Sequence, residues 1–364
     1  MAIDFLFYQP VKIHFGAGKL EALPEILAGM GIDSAVLVCD AYFAEKGLAL
    51  MDKVPQIKAV FSDVEPNPQL SGARESARLA RDCGAQAVIG LGGGSSLDTA
   101  KFAAAVTLGD GAPEDYYNGR PFPDARLKIV AIPTTSGTGS EVTQVSVMNN
   151  GAEKTTINNP AFMPAAAVVD PVLMRSVPPR TTMITGLDAL SHALEGYWSK
   201  NHQPICDLYA VAAVRLVLEN LEAAWRDGGN EEARCGMAYA ALLAGLAFGQ
   251  PKTAGSHACS YPLSMDYHLP HGEACAFTLD SFVRINADAR LEVLCREVGL
   301  SGTDALAKEI NRLKKLAGLR CTLSDLGEVD LDKLAADCAA HPLMQNNPVK
   351  MDAAALREMF AALA

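Results

Sequence analysis

Basic residues are in the minority: 31 Lys and Arg stand against 42 Asp and Glu in 364 residues, a formal charge of −11. A nucleic-acid binder ordinarily carries a basic excess to meet phosphates, so no nucleic-acid partner is expected. Long apolar runs are missing as well. None reaches the roughly 18 residues of a membrane-spanning helix, so no membrane partner is expected. The opening MAIDFLFYQP lacks the basic segment and apolar stretch of a secretory signal. No two of the nine cysteines fall in a CxxC spacing. Odd in number and scattered through apolar segments, they read as reduced core thiols, which points to a cytoplasmic protein. Aromatics supply only 6% of the chain, whereas hydrophobic residues supply 49%, with Ala and Leu abundant. That composition favours helices and is ample for the buried core of two domains.

In the first half, short apolar runs alternate with helical stretches. Ala35–Cys39 ends at Asp40, Ala87–Leu91 ends at a glycine cluster, and Lys128–Ile132 is stopped by Pro133. Continuous apolar runs of this length suit strands of a parallel sheet with both faces covered. Segment 71–83 between them has helical periodicity, so the pattern reads β-α-β-α. Asp170-Pro171 and Pro178-Pro179 mark a seam, beyond which long Ala/Leu-rich stretches follow at 207–225, 231–249, 288–298, 303–317 and 352–363. The expected fold is α/β plus all-α. A parallel-sheet domain (residues 1–178) precedes a helical domain (179–364).

Two polar loops sit after predicted strands. Gly92-Gly93-Gly94-Ser95-Ser96 leads into a helix beginning near Leu97-Asp98. Three glycines let backbone N–H groups approach an anion, and the helix N-terminus adds its dipole, which makes a pyrophosphate cradle. A plain tight turn is the alternative, since the spacing is not GxGxxG. The segment Pro133–Thr143 (PTTSGTGSEVT) is dense in small hydroxyl residues suited to a ribose or a nicotinamide carboxamide. Loops at the C-terminal ends of parallel strands lie where doubly wound sheets hold ligands. Asp40, ending an earlier run, can accept from ribose hydroxyls and would repel a 2′-phosphate, favouring NAD over NADP.

Histidine is scarce, with seven in all. Asp188 and His192 stand four apart in an apolar helical stretch, one turn apart on one face. Buried there, they need partners, and a divalent cation serves both. His257 and His271 lie in small-residue or Pro-Gly surroundings. Three imidazoles and a carboxylate could hold Fe(II), or Zn(II), with a position open for substrate. Each histidine taken singly also fits an ordinary structural role.

Together, Gly92–Lys101 (GGGSSLDTAK), Pro133–Thr143, Gly186–Glu195 (GLDALSHALE), Glu65-Pro66-Asn67-Pro68 and Pro270-His271-Gly272 resemble the iron-containing (group III) alcohol dehydrogenases, over roughly residues 5 to 360. The resemblance implies a dinucleotide-binding α/β domain joined to a helical metal-binding domain, an architecture shared with dehydroquinate synthase. It implies Asp188, His192, His257 and His271 as metal ligands. It also implies Asp40, Asn67, Gly93, Gly94, Ser95, Ser96, Asp98, Thr134, Thr135, Thr143 and Lys154 as NAD contacts, and a homodimer. Members of that family often carry a second histidine four residues after the third ligand. Here that position is Tyr261.

The stretch Gln250–Leu263 (QPKTAGSHACSYPL) is similar to dehydrogenases acting on phosphonoacetaldehyde or hydroxyethylphosphonate and to their sulfonate-handling relatives. Lys252 precedes a predicted ligand by five residues and could pair with such an anion, Thr253 and Ser256 adding hydroxyl donors. A solvated lysine at a helix end is the alternative. For the alkoxide proton, Tyr261 and His268 are the protein candidates. The expected activity is metal-dependent, NAD(H)-linked reduction of a small aldehyde, or the reverse. A generalist short-chain alcohol dehydrogenase and a dehydroquinate synthase-like lyase are the competing readings.

Overall fold

The computed structural model describes residues 4–151 and 153–363. The chain divides into two compact units: Tyr8–Thr135 with Gly139–Met174, and Arg175–Ala364 with Ser136–Thr138 and the N-terminal residues through Phe7.

In the first unit the three expected runs become β2 (Ala35–Asp40), β4 (Ala87–Gly92) and β5 (Lys128–Pro133), and three further strands join them, β1 (Lys12–Phe15), β3 (Ile57–Val64) and β8 (Ala166–Val169). All pair in parallel, in the order β1-β8-β5-β4-β2-β3. Alternate side chains of one strand serve two cores. Leu37 and Cys39 join Ile89, Leu91 and Ile132 beneath α1 (Leu23–Gly29) and α2 (Ala44–Lys53). Val36 and Val38 join Val88 and Ile129 beneath α3 (Leu70–Asp82) and α4 (Gly94–Val106). With water excluded from both faces, a polar residue at either parity would be stranded, which is why β2, β4 and β5 read as unbroken apolar runs. Helix α3 shows the complementary pattern, burying Ala73, Ala77 and Ala80 on one stripe. A short α5 (Pro113–Tyr117) follows α4.

This unit holds a further feature outside the expected pattern. β6 (Val145–Asn150) and β7 (Glu153–Asn158) form an antiparallel hairpin directly after the hydroxyl-rich loop. Their side chains are only patchily buried, so no clean two-residue alternation marks them.

The second unit is helical: α6 (Pro179–Trp198), α7 (Pro204–Arg226), α8 (Glu231–Phe248), α9 (Gly255–Met265), α10 (His271–Ile285), α11 (Ala289–Glu297), α12 (Thr303–Leu316), α13 (Leu331–Ala340) and α14 (Ala353–Ala361). Helix α6 lies at its centre, buried from Leu187 to Trp198 and packed against α7, α8 and α10. Helices α9, α10 and α13 lie outside the expected series. The first two are buried nearly all round, and α9 contains Pro262, so neither shows the apolar stripe that identifies a surface helix, whereas the short α13 does bury one face through Leu334, Ala335 and Cys338. Among the described residues no helix is long and apolar enough to cross a membrane.

Candidate cofactor and metal sites

Strand β2 is followed by β3 on one side, and β4 then pairs on its other side. The winding of the sheet therefore reverses between β2 and β4, and open α/β sheets take ligands beyond the strand ends at such a point. Asp40 closes β2 there and Gly92 closes β4. Gly92 has φ of 152°, and a Cβ on it would run into the Ser96 side chain and stand 3.5 Å from Asp40 Oδ2. Helix α4 begins with Gly93 as a cap that offers no side chain to the first N–H groups. Those donors, and the buried Ser96 Oγ, which has no partner, are the groups an anion would satisfy. The Thr134 N–H donates to Gly92 O at 3.0 Å, and the Thr135 side chain lies against Gly93. Asp40 Oδ1 accepts from the Phe43 N–H at 3.2 Å. A pyrophosphate at the helix N-terminus and a carboxylate for a ribose fit these residues.

The other expected NAD contacts fall into two groups. Lys154 Nζ donates to Asn67 Oδ1 at 3.3 Å, and Asn67 O accepts from Asn149 Nδ2 at 2.8 Å. Asp98 is engaged internally: Oδ1 accepts from Ser140 Oγ at 2.8 Å and Oδ2 from the Val147 N–H at 2.9 Å. Beside it the fully buried Lys101 donates to Ser140 Oγ (2.7 Å), Thr143 O (3.0 Å) and Val145 O (2.9 Å). Burial brings Lys101 down to about 8, and burial likewise pushes Asp98 up, with Lys101 opposing that rise. This pair holds the segment that carries Thr143.

In the helical unit, α6 presents Asp188, His192 and Glu195 at i, i+4 and i+7, all buried on one face. Helix α9 contributes His257, and α10 contributes His271 and, one turn on, Cys275. A Cβ on Gly272 would strike Ile184 O and come within 3.0 Å of Asp188 Cβ, so glycine lets the first turn of α10 close onto α6. Asp188 Oδ1 stands 3.8 Å from His257 Nε2 and 3.9 Å from His271 Nε2, and His192 Nε2 is 3.0 Å from His257 Nε2. Donors 3–4 Å apart can share one ion at bond lengths of about 2.0–2.2 Å. Asp188 Oδ1 is buried without a hydrogen-bond partner, a state that a bound cation would relieve.

For Asp188 and His192 the electrostatics agree with that use, whereas for His257 burial is outweighed by Cys275 and Glu195, which raise it well above the ordinary imidazole range. Burial acts to raise Asp188, but His192, His271 and His257 hold it below the ordinary carboxylate range. Burial drives His192 down to about 4, leaving the neutral imidazole a metal needs. The His271 side chain is 42% exposed, which leaves one side of the cluster open to a substrate. Of the remaining expected residues, Tyr261 packs its ring on His341 at 4.2 Å, while His268 sits exposed in a left-handed turn with φ of 55°. The structure does not bring His268 into the donor cluster.

The sequence reading gave Glu195 no role. Its Oε1 accepts from the Ser256 N–H at 2.6 Å and the His257 N–H at 3.3 Å, and its other oxygen pairs with His257 Nδ1. The proton is thereby fixed on Nδ1 and the Nε2 lone pair turned inward, the arrangement of a carboxylate behind a metal-ligating histidine. Its i+7 spacing from Asp188 was the signal that could have found it. Cys275 carried a similar signal at i+4 from His271. Glu195→Gln is expected to bind metal about 10- to 100-fold more weakly with its fold intact. Metal titration of the chelator-stripped protein, with circular dichroism as the control, checks this; wild-type affinity would remove the orienting role.

A dinucleotide cradle at a sheet switch point and a buried Asp/His donor cluster define a metal-dependent dinucleotide oxidoreductase. Residues 10–171 match the iron-containing alcohol dehydrogenase family, and residues 182–364 match the Fe-containing alcohol dehydrogenase family, C-terminal. Long-chain-alcohol dehydrogenase 1 of Geobacillus thermodenitrificans is 35% identical, the match covering 100% of this chain and 97% of that protein. Sulfoacetaldehyde reductase of Bilophila wadsworthia is 33% identical over 79% of this chain and 76% of its own. The crystal structure of sulfoacetaldehyde reductase from Bifidobacterium kashiwanohense with NAD+ superposes with a TM-score of 0.95, at 42% identity, covering 100% of this chain and 99% of that one. The chain belongs to the iron-containing alcohol dehydrogenase family. It is an NAD-dependent alcohol dehydrogenase or aldehyde reductase acting on a small molecule, with NAD and iron as its cofactors.

Proposed function

We propose that this enzyme reduces a short aldehyde carrying a sulfonate or phosphonate group. The observation that carries the reading is Lys252. It holds a left-handed backbone with φ of 69°, a conformation uncommon outside glycine and one that clusters at functional sites. Its ammonium is half-buried and donates to Gly249 O at 3.1 Å. Burial lowers its pKa, and among the described residues no carboxylate opposes the shift. A half-buried cation with no counter-ion among the described residues suits an anionic substrate. Ser256 Oγ, buried without a partner, and the buried Thr253 lie on the following residues. The 42% identity to a sulfoacetaldehyde reductase supports the same class.

When bound, the metal supplies a Lewis acid that polarises a carbonyl, and the dinucleotide supplies the hydride. The chain orients and protonates. Asp188, His192, His257 and His271 would hold the ion, with Glu195 fixing the His257 ring. The Gly92–Ser96 turn, Asp40, Thr134 and Thr135 would seat the dinucleotide, and Lys101 with Asp98 would hold Thr143 in place. Tyr261 Oη is the proposed proton donor. What supports it over the exposed His268 is its half-buried ring one turn beyond His257, packed at a tilt against His341. The His341 Nδ1 accepts from the Leu343 N–H at 3.3 Å, which fixes that ring's orientation.

The test follows NADH oxidation by the iron-loaded protein. Sulfoacetaldehyde or phosphonoacetaldehyde should exceed propionaldehyde in kcat/KM by about tenfold or more, roughly 1.4 kcal/mol. In Lys252→Met the anionic substrate should lose about 10- to 100-fold, as for a charged hydrogen bond of about 1.5–3 kcal/mol, and the preference should collapse. Propionaldehyde equalling the anionic aldehydes would return the enzyme to the generalist short-chain reading, which the 33% identity to a 1,3-propanediol dehydrogenase of Klebsiella pneumoniae favours. The lyase reading loses its support with the family membership. A homodimer is proposed on the edge position of β1 with Ile13 exposed along it, and a cytoplasmic location on nine free thiols.

A further inference from the structure

The donor cluster holds one more potential ligand than the family pattern implies. Cys275 is fully buried on α10, and its Sγ lies 3.8 Å from His271 Nε2. One donor atom each from Asp188, His257, His271 and Cys275 lies within 4.8 Å of every other. Two other buried thiols of this unit turn to backbone carbonyls: Cys206 to Leu246 O at 3.6 Å and Cys321 to Leu319 O at 3.2 Å. Cys275 instead faces an imidazole nitrogen, in a cluster whose Asp188 Oδ1 is buried and has no hydrogen-bond partner.

The structure gathers one four-donor set, Asp188, His257, His271 and Cys275, whereas the family pattern puts His192 in place of Cys275, and His192 Nε2 stands 3.0 Å from His257 Nε2. The two side chains differ in softness. Imidazole suits iron and zinc alike, whereas a thiolate favours zinc among the divalent ions at issue here. Four donors including sulfur also match the tetrahedral preference of zinc, with a Zn–S bond of about 2.3 Å.

We propose that Cys275 is a metal-selecting ligand: the site takes a zinc-like ion through Asp188, His257, His271 and the Cys275 thiolate, and iron through the set that contains His192. On engagement the Sγ–H bond breaks, the proton leaves to solvent and the sulfur lone pair forms the bond to the ion, with no change in oxidation state. The choice of ion would then depend on which donor, Cys275 or His192, completes the shell. This inference concerns the metal alone and stands independently of the substrate assignment.

The experiment uses the full chain, stripped with a chelator and reloaded anaerobically. Co(II), a spectroscopic stand-in for zinc, should give a near-ultraviolet thiolate-to-cobalt charge-transfer band in the wild type and in His192→Ala, and none in Cys275→Ser. Competition titrations should show Cys275→Ser weakening zinc by about tenfold or more while Fe(II) changes less than about threefold. Cys275→Ala serves if the serine variant misfolds, as judged by circular dichroism. The wild-type spectrum decides even if neither variant folds. A wild-type cobalt protein without the thiolate band, a band that survives in Cys275→Ser, or equal losses for zinc and iron would each overturn the proposal.

Discussion

Asp188→Ala is expected to purify without iron and to turn over about a thousandfold more slowly, or worse. Asp188 supplies the only carboxylate among the expected ligands, and its Oδ1 is within 3.9 Å of two imidazole nitrogens with no competing hydrogen bond. Removing it leaves neutral donors to hold a divalent cation away from water, which three imidazoles do poorly without a compensating anion. Loss of the Lewis acid forfeits several kcal/mol of carbonyl activation, and about 4 kcal/mol is a thousandfold in rate. Metal content per chain, measured beside turnover, separates this from a folding defect. So does NADH binding, because the cradle belongs to the other compact unit and should keep its affinity. Asp188→Asn keeps the shape and removes the charge, and should lose metal nearly as completely. An Asp188→Ala protein that retains stoichiometric iron would overturn the ligand assignment.

Gly92→Ala is the reciprocal case, with NADH affinity falling about a hundredfold, near 2.7 kcal/mol, and metal content unchanged. The new methyl group would have to displace Ser96, whose backbone N–H stands in the first turn of α4, while the backbone leaves a φ of 152° that L-residues rarely adopt. Both adjustments rotate the peptide groups that would meet the pyrophosphate. Gly151→Ala is the matched control. It also has positive φ, at 63°, but a Cβ there meets nothing within 4 Å, in the turn between β6 and β7. It should cost stability of roughly 1 kcal/mol and leave NADH binding alone. Fluorescence titration with NADH reads both, and a Gly92→Ala protein that binds as the wild type would dismiss the cradle.

The legibility of this chain follows from where water is excluded. Strands β2, β4 and β5 were visible because burial on both faces writes itself as a continuous apolar run. Helix α3 was visible because burial on one face writes a stripe. Helices α9 and α10 were not, since nearly uniform burial erases periodicity, and α13 escaped because its stripe is only three residues long. The hairpin β6–β7, half-exposed and polar, carries neither mark. Within the sites, Asp188 and His192 could be paired from the sequence because four residues is one helical turn. Glu195 and Cys275 obeyed the same spacing rule and were passed over.

What the amino-acid order alone determined, then, is local: which runs become strands, which loop can receive an anion, and which side chains share a helix face. Backbone geometry sets these within a few residues. Only the tertiary structure decided that His192 and His257, 65 positions apart, meet at 3.0 Å, that Glu195 orients one ring from behind, and that Cys275 faces the same donors. It also left His268 outside the cluster and set His341 against Tyr261. Convergence of that kind depends on how α6, α9 and α10 pack. That packing is set by small contacts such as Gly272 against Ile184 and Asp188, whose partners no local spacing reveals.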